Sequence, residues 1–324
     1  MTGTWLASAQ ELAVPGSPKS DLRLELMQSR TYCRAMERSL GEIKKRFPEL
    51  EAQVMVSSAN WQSSAFAKGC RAIEEDLIRQ AGEKGRQMLK ELDEKSWAEV
   101  KKLVRLDGID EARDYLDLVN RRSKGEIEID MVRGNLLWQY KLFQTEPEQE
   151  QVQGYVEKIT HTAKTKWYVR FDLPMSWKTE ESPKVDLMSF RSCYGHGPVW
   201  MTAYVIPSID GSGTPVPANE LFEAYNEADL RAEYRTLGIE LTAFMKTQVN
   251  GMPALMFTRD QPFEQLGTKA TRAAQVIRVY KDDHVVNFQI NTLGPEGAKT
   301  AAERIKRQEP LFKMIAGSVQ LITR

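Results

Sequence analysis

The sequence has few of the residues from which metal and thiol sites are built. It contains three cysteines and three histidines among 324 residues. A structural zinc site needs four ligands, usually contributed as two short Cys or His pairs. The one short pair here, Cys193 and His196, supplies at most two ligands, and neither His161 nor His284 has a companion ligand at such a spacing. We therefore predict no metal site and no cofactor.

An excess of one charge is also absent. Lysine plus arginine and aspartate plus glutamate both number 45, so the formal net charge is zero. Proteins that bind nucleic acid or an anionic membrane surface usually carry a basic excess or a clustered basic patch. The short basic runs of this chain stand among acidic residues and are interpreted as solvated helix faces. We predict no nucleic-acid partner and expect a protein partner or a small ligand.

Long hydrophobic runs are missing as well. The longest predominantly apolar stretch, VWMTAYVIP, has nine residues at 199–207, about half of what a membrane-spanning helix needs. Near the N-terminus, Ala7-Ser8-Ala9 matches the small-residue pattern before a signal-peptidase cut, although no charged and apolar segments precede it. Residues 1–20 are therefore either the end of a removed signal peptide or a flexible leader. The first alternative predicts a periplasmic or secreted protein, with a lipid anchor possible on a longer precursor, and the second a cytoplasmic one.

The first half of the chain has the period of amphipathic helices. Apolar residues recur every three or four positions from Leu22 to about Leu142. Pro48 ends the first helix, and Ser57-Ser58 offers cap oxygens to the second. A third helix is expected over 83–105, with Met88 on its inner face. We predict a helical bundle or array over residues 21–145.

The second half changes to the period of strands. A polar stretch, TEPEQEQVQG at 145–154, separates the two halves and is interpreted as a linker. Beyond it the runs WYVRFDLPMSW, DLMSFRSC and VWMTAYVIPS are rich in aromatic and β-branched residues, which is typical of strands. A helix of about twenty residues is expected after residue 217.

Four more strand candidates then follow one another. Asn250-Gly251 and Asp282-Asp283 stand between neighbouring candidates, where hairpin turns are required. A last helix covers roughly 298–318. This order predicts an α+β protein whose second half has helices packed on a mainly antiparallel sheet.

Three features of the second half carry a family resemblance: FDLPMSW at 171–177, the four-stranded meander, and FKMIAGSV at 312–319. With them, residues 155–324 resemble the PsbP/DcrB-like α/β/α sandwich domains of photosynthetic extrinsic subunits and bacterial envelope proteins. The resemblance implies the sandwich fold for this half. The helical half has no counterpart in that basic fold.

Cys33 and Cys70 lie on the apolar stripes of two predicted helices. In an antiparallel helix pair, facing residues have a constant sum of residue numbers, and the midpoint of 33 and 70 falls at the predicted turn near residue 52. The two cysteines should therefore face each other, as a disulfide requires. We predict this disulfide, which would support an oxidising compartment. The alternative is two buried free thiols.

Cys193 is then the remaining cysteine, and it lies in RSCYGHGPVW at 191–200. A cysteine nucleophile needs a base that another element holds in place, and a histidine three residues downstream in a glycine-rich turn is too loosely held. We predict no catalytic residues and interpret the stretch as a bend between strands. Its candidate binding cleft consists of Cys193, Tyr194, His196 and Trp200.

These observations lead to three functional hypotheses. The first is a non-enzymatic bacterial cell-envelope protein that acts as a binding or assembly module. The second is a hydrolase or thiol enzyme that uses Cys193 and His196. The third is an immunity or adaptor protein that binds one dedicated protein partner through its helical domain.

Overall fold

A computed structural model of the chain describes residues 21–103, 106–160, 166–180, 187–210, 212–265, 268–295 and 300–323. Within the described residues two compact units are present, one over 21–145 and the other over 146–323. The predicted leader, residues 1–20, lies outside the described residues. Within the described part, no helix is long and apolar enough to cross a membrane.

The first unit is helical, as the period of its apolar residues predicts. Asp21 caps the first helix by accepting hydrogen bonds from the amides of Arg23 and Leu24. The helices are α1 (Leu22–Arg46), α2 (Glu51–Ser63), α3 (Ala65–Leu103), α4 (Ile109–Ser123), α5 (Asp130–Gln139) and α6 (Lys141–Thr145).

The expected cap at Ser57-Ser58 is wrong. Both serines lie inside α2, which begins at Glu51 and ends at Ser63. The cap belongs to Ser64, whose backbone is extended and whose hydroxyl accepts a hydrogen bond from the amide of Ala67 at 3.2 Å. Since extended backbone with a side-chain acceptor defines an N-cap, α3 starts there.

Helix α3 is two helical segments joined at Gly82. This glycine has φ +60° and ψ −148°, a conformation outside the helical region that glycine tolerates. The chain reverses here, because Arg30 of α1 contacts both Glu74, before the break, and Asp93, after it. In a straight helix these two acids would be ~28 Å apart at 1.5 Å per residue. A third helical segment beginning at residue 83 is thus confirmed.

The second unit contains two antiparallel sheets. A small sheet has the order β1-β2-β10, and a large one has the order β3-β4-β5-β9-β8-β7-β6. The strands are β1 (Val152–Thr160), β2 (Lys166–Pro174), β3 (Lys178–Glu180), β4 (Leu187–Arg191), β5 (Val199–Pro207), β6 (Glu240–Val249), β7 (Met252–Gln265), β8 (Thr268–Lys281), β9 (His284–Pro295) and β10 (Gln320–Thr323). The structure therefore confirms a helical region followed by antiparallel sheets.

One face of the large sheet is buried in the main core of this unit. Phe171 of the small sheet meets Phe190 and Phe288 of the large sheet at ring-centroid distances of 5.6 and 5.5 Å. The last helix, α9 (Thr300–Gly317), adds buried residues to the same core, including Phe312 and Ile315. Helix and small sheet thus cover this face together.

The opposite face of the large sheet is covered on β6, β7 and β8 by two short helices. These are α7 (Ala218–Ala224) and α8 (Glu227–Thr236), whose apolar residues pack on Leu255, Phe257 and neighbouring side chains. The single twenty-residue helix expected here is wrong. Asn226 is extended and its side chain accepts from the amide of Asp229 at 2.9 Å, so it caps a new helix.

The polar stretch at 145–154 is not only a linker. It contains a 3₁₀ turn at Pro147–Gln149 and the start of β1 at Val152. Between these elements lies Glu150, which is 8% exposed. The start of β1 was not predicted because β1 is held by its pairing with β2, a tertiary contact that the composition of residues 145–154 does not indicate.

Candidate functional site

The bend between β4 and β5 has an unusual backbone. Cys193, Tyr194 and Gly195 are consecutive and have φ values of +53°, +49° and +96°. The bend is held from the neighbouring segment, because the amide of Tyr194 donates to the carbonyl of Ser176 at 2.6 Å. The amide of Gly197 closes the bend by donating to the carbonyl of Ser192 at 2.9 Å. The predicted bend between strands is therefore a tightly bonded turn.

Ser176 also binds a buried acid beside the bend. Its amide donates to Glu150 Oε1 at 2.6 Å and its hydroxyl to Oε2 at 2.7 Å. Burial raises the pKa of Glu150 to about 7, against the lowering effect of the two Ser176 hydrogen bonds. This acid was not identified from the sequence, since it lies in a stretch with six other polar residues, TEPEQEQVQG at 145–154.

The thiol of Cys193 is a poor nucleophile. Burial, and to a smaller extent the charge of Glu150, raises its pKa to about 12, while a hydrogen bond with Ser192 lowers it. The described contact between Cys193 and His196 is through the backbone, where the His196 amide donates to the Cys193 carbonyl at 3.0 Å. At neutral pH the sulfur is a thiol and not the thiolate that acts as a nucleophile.

The two aromatic residues of the predicted cleft belong to different elements, the bend and strand β5. The ring of Tyr194 on the bend lies 5.2 Å from Lys178 Nζ. Trp200 follows in β5, where Val199 and Met201 enter the core and alternation directs Trp200 to the opposite face. The structure therefore brings Cys193, Tyr194 and His196 together on the bend and assigns Trp200 to the sheet.

Trp200 begins a polar surface on the large sheet. Its ring lies 5.7 Å from the guanidinium carbon of Arg191 and 5.9 Å from that of Arg272. Strand register continues this surface, since Trp200 pairs with Asn291, Asn291 with Ala274, and Ala274 with Arg259. We call this surface the polar face. Its members are Arg191, Trp200, Thr202, Tyr204, Arg259, Arg272, Arg278, Asn287, Gln289 and Asn291.

Two arginines of the polar face have clear structural partners. Arg191 forms an ion pair with Glu180 of β3. Arg278 donates to the Tyr234 hydroxyl at 3.0 Å and to Asn287 Oδ1 at 3.3 Å. These contacts join the strands to each other and to α8.

The polar face was not predicted from the sequence, although the sequence contains part of the pattern that forms it. Every second residue of β9 from 287 to 291 is an amide, which places Asn287, Gln289 and Asn291 on one side of the strand. The arginines at 259 and 272 lie thirteen positions apart on different strands. Only the pairing of β7, β8 and β9 brings them to the amides.

Cys33 and Cys70 lie side by side in the helical unit, as predicted. The two thiols are hydrogen-bonded, and burial, followed by the Cys70 contact, raises the pKa of Cys33. The predicted disulfide itself is not present, because both are free thiols. The assumed simple hairpin is also wrong, since α2 separates the two cysteine helices. The bond stays a prediction for the oxidised protein.

Metal binding has no support in the part of the chain that the structure describes. No group of three or more His, Cys, Asp or Glu residues there is arranged to hold an ion. Of the three histidines, His161 lies outside the described residues.

Comparison with known proteins gives matches among solved structures only. No family model matches the chain, and no sequence among the curated proteins matches it. Similar structures include PsbP (CyanoP) from Synechocystis sp. PCC 6803, LpqN, which is involved in cell envelope biogenesis of Mycobacterium tuberculosis, and the Ran-binding protein Mog1p of Saccharomyces cerevisiae.

The similarity of these three structures is low in sequence and partial in extent. Their identities are 12%, 12% and 10%, and the TM-score is 0.31 for each. The matches cover 53%, 52% and 52% of this chain and 92%, 91% and 96% of those chains. One of the three, PsbP, has the name of the family that the sequence motifs resemble.

Proposed function

We propose that the protein is a non-enzymatic binding or assembly module of the bacterial cell envelope and that it binds its partner through the polar face. The observation that carries this proposal is the position of Trp200, a half-buried aromatic residue between two guanidinium groups on a sheet face. Tryptophan and arginine are the residues that most often dominate binding energy at interfaces.

The chemistry of the bend supports a binding role over an enzymatic one. A thiol enzyme requires a Cys193 thiolate and a base that orients it. The thiol instead has a pKa of about 12 and is joined to His196 through the backbone. The bend is therefore a structural support for the strands that carry Arg191 and Trp200.

The paired cysteines of the helical unit provide a test of the envelope location. Adjacent buried thiols form a stable disulfide in an oxidising compartment and stay reduced in a reducing one. Intact-mass analysis after alkylation, with and without reductant, tests this in protein isolated from its host. A joined pair supports export, and two freely alkylated thiols remove this support.

Complementation of a deletion strain tests the binding role. The double variant Cys193→Ala/His196→Ala is expected to restore the phenotype, whereas Trp200→Ala is expected not to. Trp200→Phe serves as the conservative control, and circular dichroism checks that each variant folds. If the folded Cys193→Ala/His196→Ala protein fails to complement and the Trp200→Ala protein succeeds, the result would contradict this proposal and favour the enzyme hypothesis.

A further inference from the structure

We propose that Arg259 and Arg272 on the polar face bind an oxyanion, the carboxylate or phosphate group of a ligand. This inference rests on the proposed function, because it names the chemistry that the polar face recognises. The two guanidinium groups lie on adjacent strands, β7 and β8, on the side of the sheet away from the main core.

Strand register places the two arginines beside each other, because Arg259 is opposite Ala274 and Arg272 is two positions before Ala274. Burial, and after it the positive charge of Arg259, lowers the pKa of Arg272. Placing like charges together in a partly desolvated position is unfavourable in the folded protein. An anion between them removes this repulsion, so the arrangement is better suited to the bound state than to the free one.

Arg259 has donor capacity that the described residues leave unused. One terminal nitrogen donates to Gln289 Oε1 at 2.9 Å, and the guanidinium lies 5.3 Å from the Tyr234 ring. Its Nε is buried and donates to no acceptor among the residues that the structure describes. Among the described residues no carboxylate lies within ion-pair distance of Arg259, whereas Arg191 on the same face is paired with Glu180.

Farther along the same face, opposite Arg278, Asn287 has another donor that the described residues leave unsatisfied. Asn287 is 2% exposed, its Oδ1 accepts from Arg278, and its Nδ2 is buried with no acceptor among the described residues. A buried donor without an acceptor is unfavourable, and natural proteins usually satisfy such donors with protein, water or ligand atoms. The unsatisfied groups on this face are donors, which calls for an acceptor-rich ligand.

The residue between the two arginines leaves room for such a ligand. Ala274 lies directly opposite Arg259 on one side and Asn291 on the other, and Arg272 is two positions before it on the same face. A methyl group therefore separates longer side chains. An oxyanion above Ala274 would be flanked by both guanidinium groups, which donate in the planar geometry that carboxylates and phosphates accept.

The test uses the full chain labelled with 5-fluorotryptophan, whose seven tryptophans give separate ¹⁹F resonances that Trp→Phe variants assign. Inorganic phosphate, citrate and a hexaglutamate peptide are titrated at constant ionic strength. At least one probe is expected to shift the Trp200 resonance saturably. The three probes distinguish a phosphate, a small carboxylate and a protein-borne carboxylate as the source of the anion.

Two variants and one control decide the role of the arginines. Arg259→Gln and Arg272→Gln are each expected to weaken the affinity for the anionic probe by about tenfold or more, because each variant loses a charge-assisted hydrogen bond. Arg170→Gln removes the same charge from an exposed position in β2 of the small sheet and is expected to change it less than about twofold.

The outcomes separate this inference from the proposed function. A Trp200 resonance that no probe moves, or an affinity that both arginine variants retain, would overturn the oxyanion site. Phosphate or carboxylate binding that depends on the arginines, in a protein whose Trp200→Ala variant still complements the deletion strain, would support the oxyanion site and contradict the proposed function.

Discussion

Ser176 donates both its amide and its hydroxyl to the carboxyl group of Glu150, at 2.6 and 2.7 Å. The carbonyl of the same serine accepts the amide of Tyr194. One residue thus connects a buried acid before β1 to the left-handed bend before β5. The protonation state of Glu150 is therefore linked to the stability of the segment that leads to the polar face.

The first prediction concerns this linkage. The pKa of Glu150 is about 7 in the folded protein and about 4.3 in the unfolded chain. Between these values the folded state binds more protons, so the stabilising effect of the protonated form is complete below pH 4.3 and lost as the pH rises through 7. Over this pH window the free energy of unfolding of the wild type should fall by on the order of 3 kcal/mol relative to that of Glu150→Gln.

Urea unfolding of both proteins between pH 4 and pH 8 measures the difference. The glutamine variant keeps an uncharged amide at the same position, so its stability should exceed that of the wild type most clearly above pH 7. Parallel pH profiles of the two proteins would show that Glu150 is ionised in the fold.

The second prediction concerns the tightest point of the bend. A Cβ atom at Gly197 would lie 2.0 Å from Ser192 Oγ and 2.8 Å from the Ser192 carbonyl oxygen. Gly197→Ala should therefore destabilise the protein by about 1–3 kcal/mol, as overpacking does, and lower its melting temperature. Gly317→Ala is the matched control, because a Cβ there meets nothing within 4 Å. Equal melting temperatures for the two variants would contradict the packing described.

The third prediction concerns the buried charge of the helical unit. Arg30 has a side chain that is 2% exposed and donates to Asp93 Oδ2 at 2.9 Å and to Glu74 at 3.5 Å. Arg30→Gln leaves these carboxylates without their buried partner, which typically costs about 3–5 kcal/mol. Arg38→Gln removes a more exposed pair with Glu94 and should cost less than about 1 kcal/mol.

Chemical unfolding of the two arginine variants provides the measurement. Since Arg30 joins both segments of α3 to α1, its loss should also speed hydrogen exchange around Gly82. A similar loss of stability in both variants would show that Arg30 does not hold the two segments together.

Local signals in the sequence were enough for much of the fold. Asn250-Gly251 has positive φ at both residues, as the hairpin between β6 and β7 requires. In contrast, Met88 was placed on an inner helix face and is 56% exposed, while Leu89 is 3% exposed. The reversal at Gly82 sets the orientation of that segment through Arg30, a contact that helical period does not encode.

The candidate site was predictable only in part. Trp200 was identified because it closely follows Cys193 and His196, the one short Cys–His pair of the sequence. In the structure that pair belongs to the bend between β4 and β5. The arginines of the polar face were not identified, because each looks like a surface residue within its own strand. Their proximity depends on the register of β7 and β8, which places Arg259 opposite Ala274.

The most direct test of the account is the location of an oxyanion in a crystal of the full chain. Crystals grown or soaked in selenate, an oxyanion with a strong anomalous signal, should show an anomalous peak between Arg259 and Arg272 within hydrogen-bond distance of both. Peaks at other arginines of the protein, with none at Arg259 and Arg272, would contradict the claim that these two arginines form the oxyanion site of the polar face.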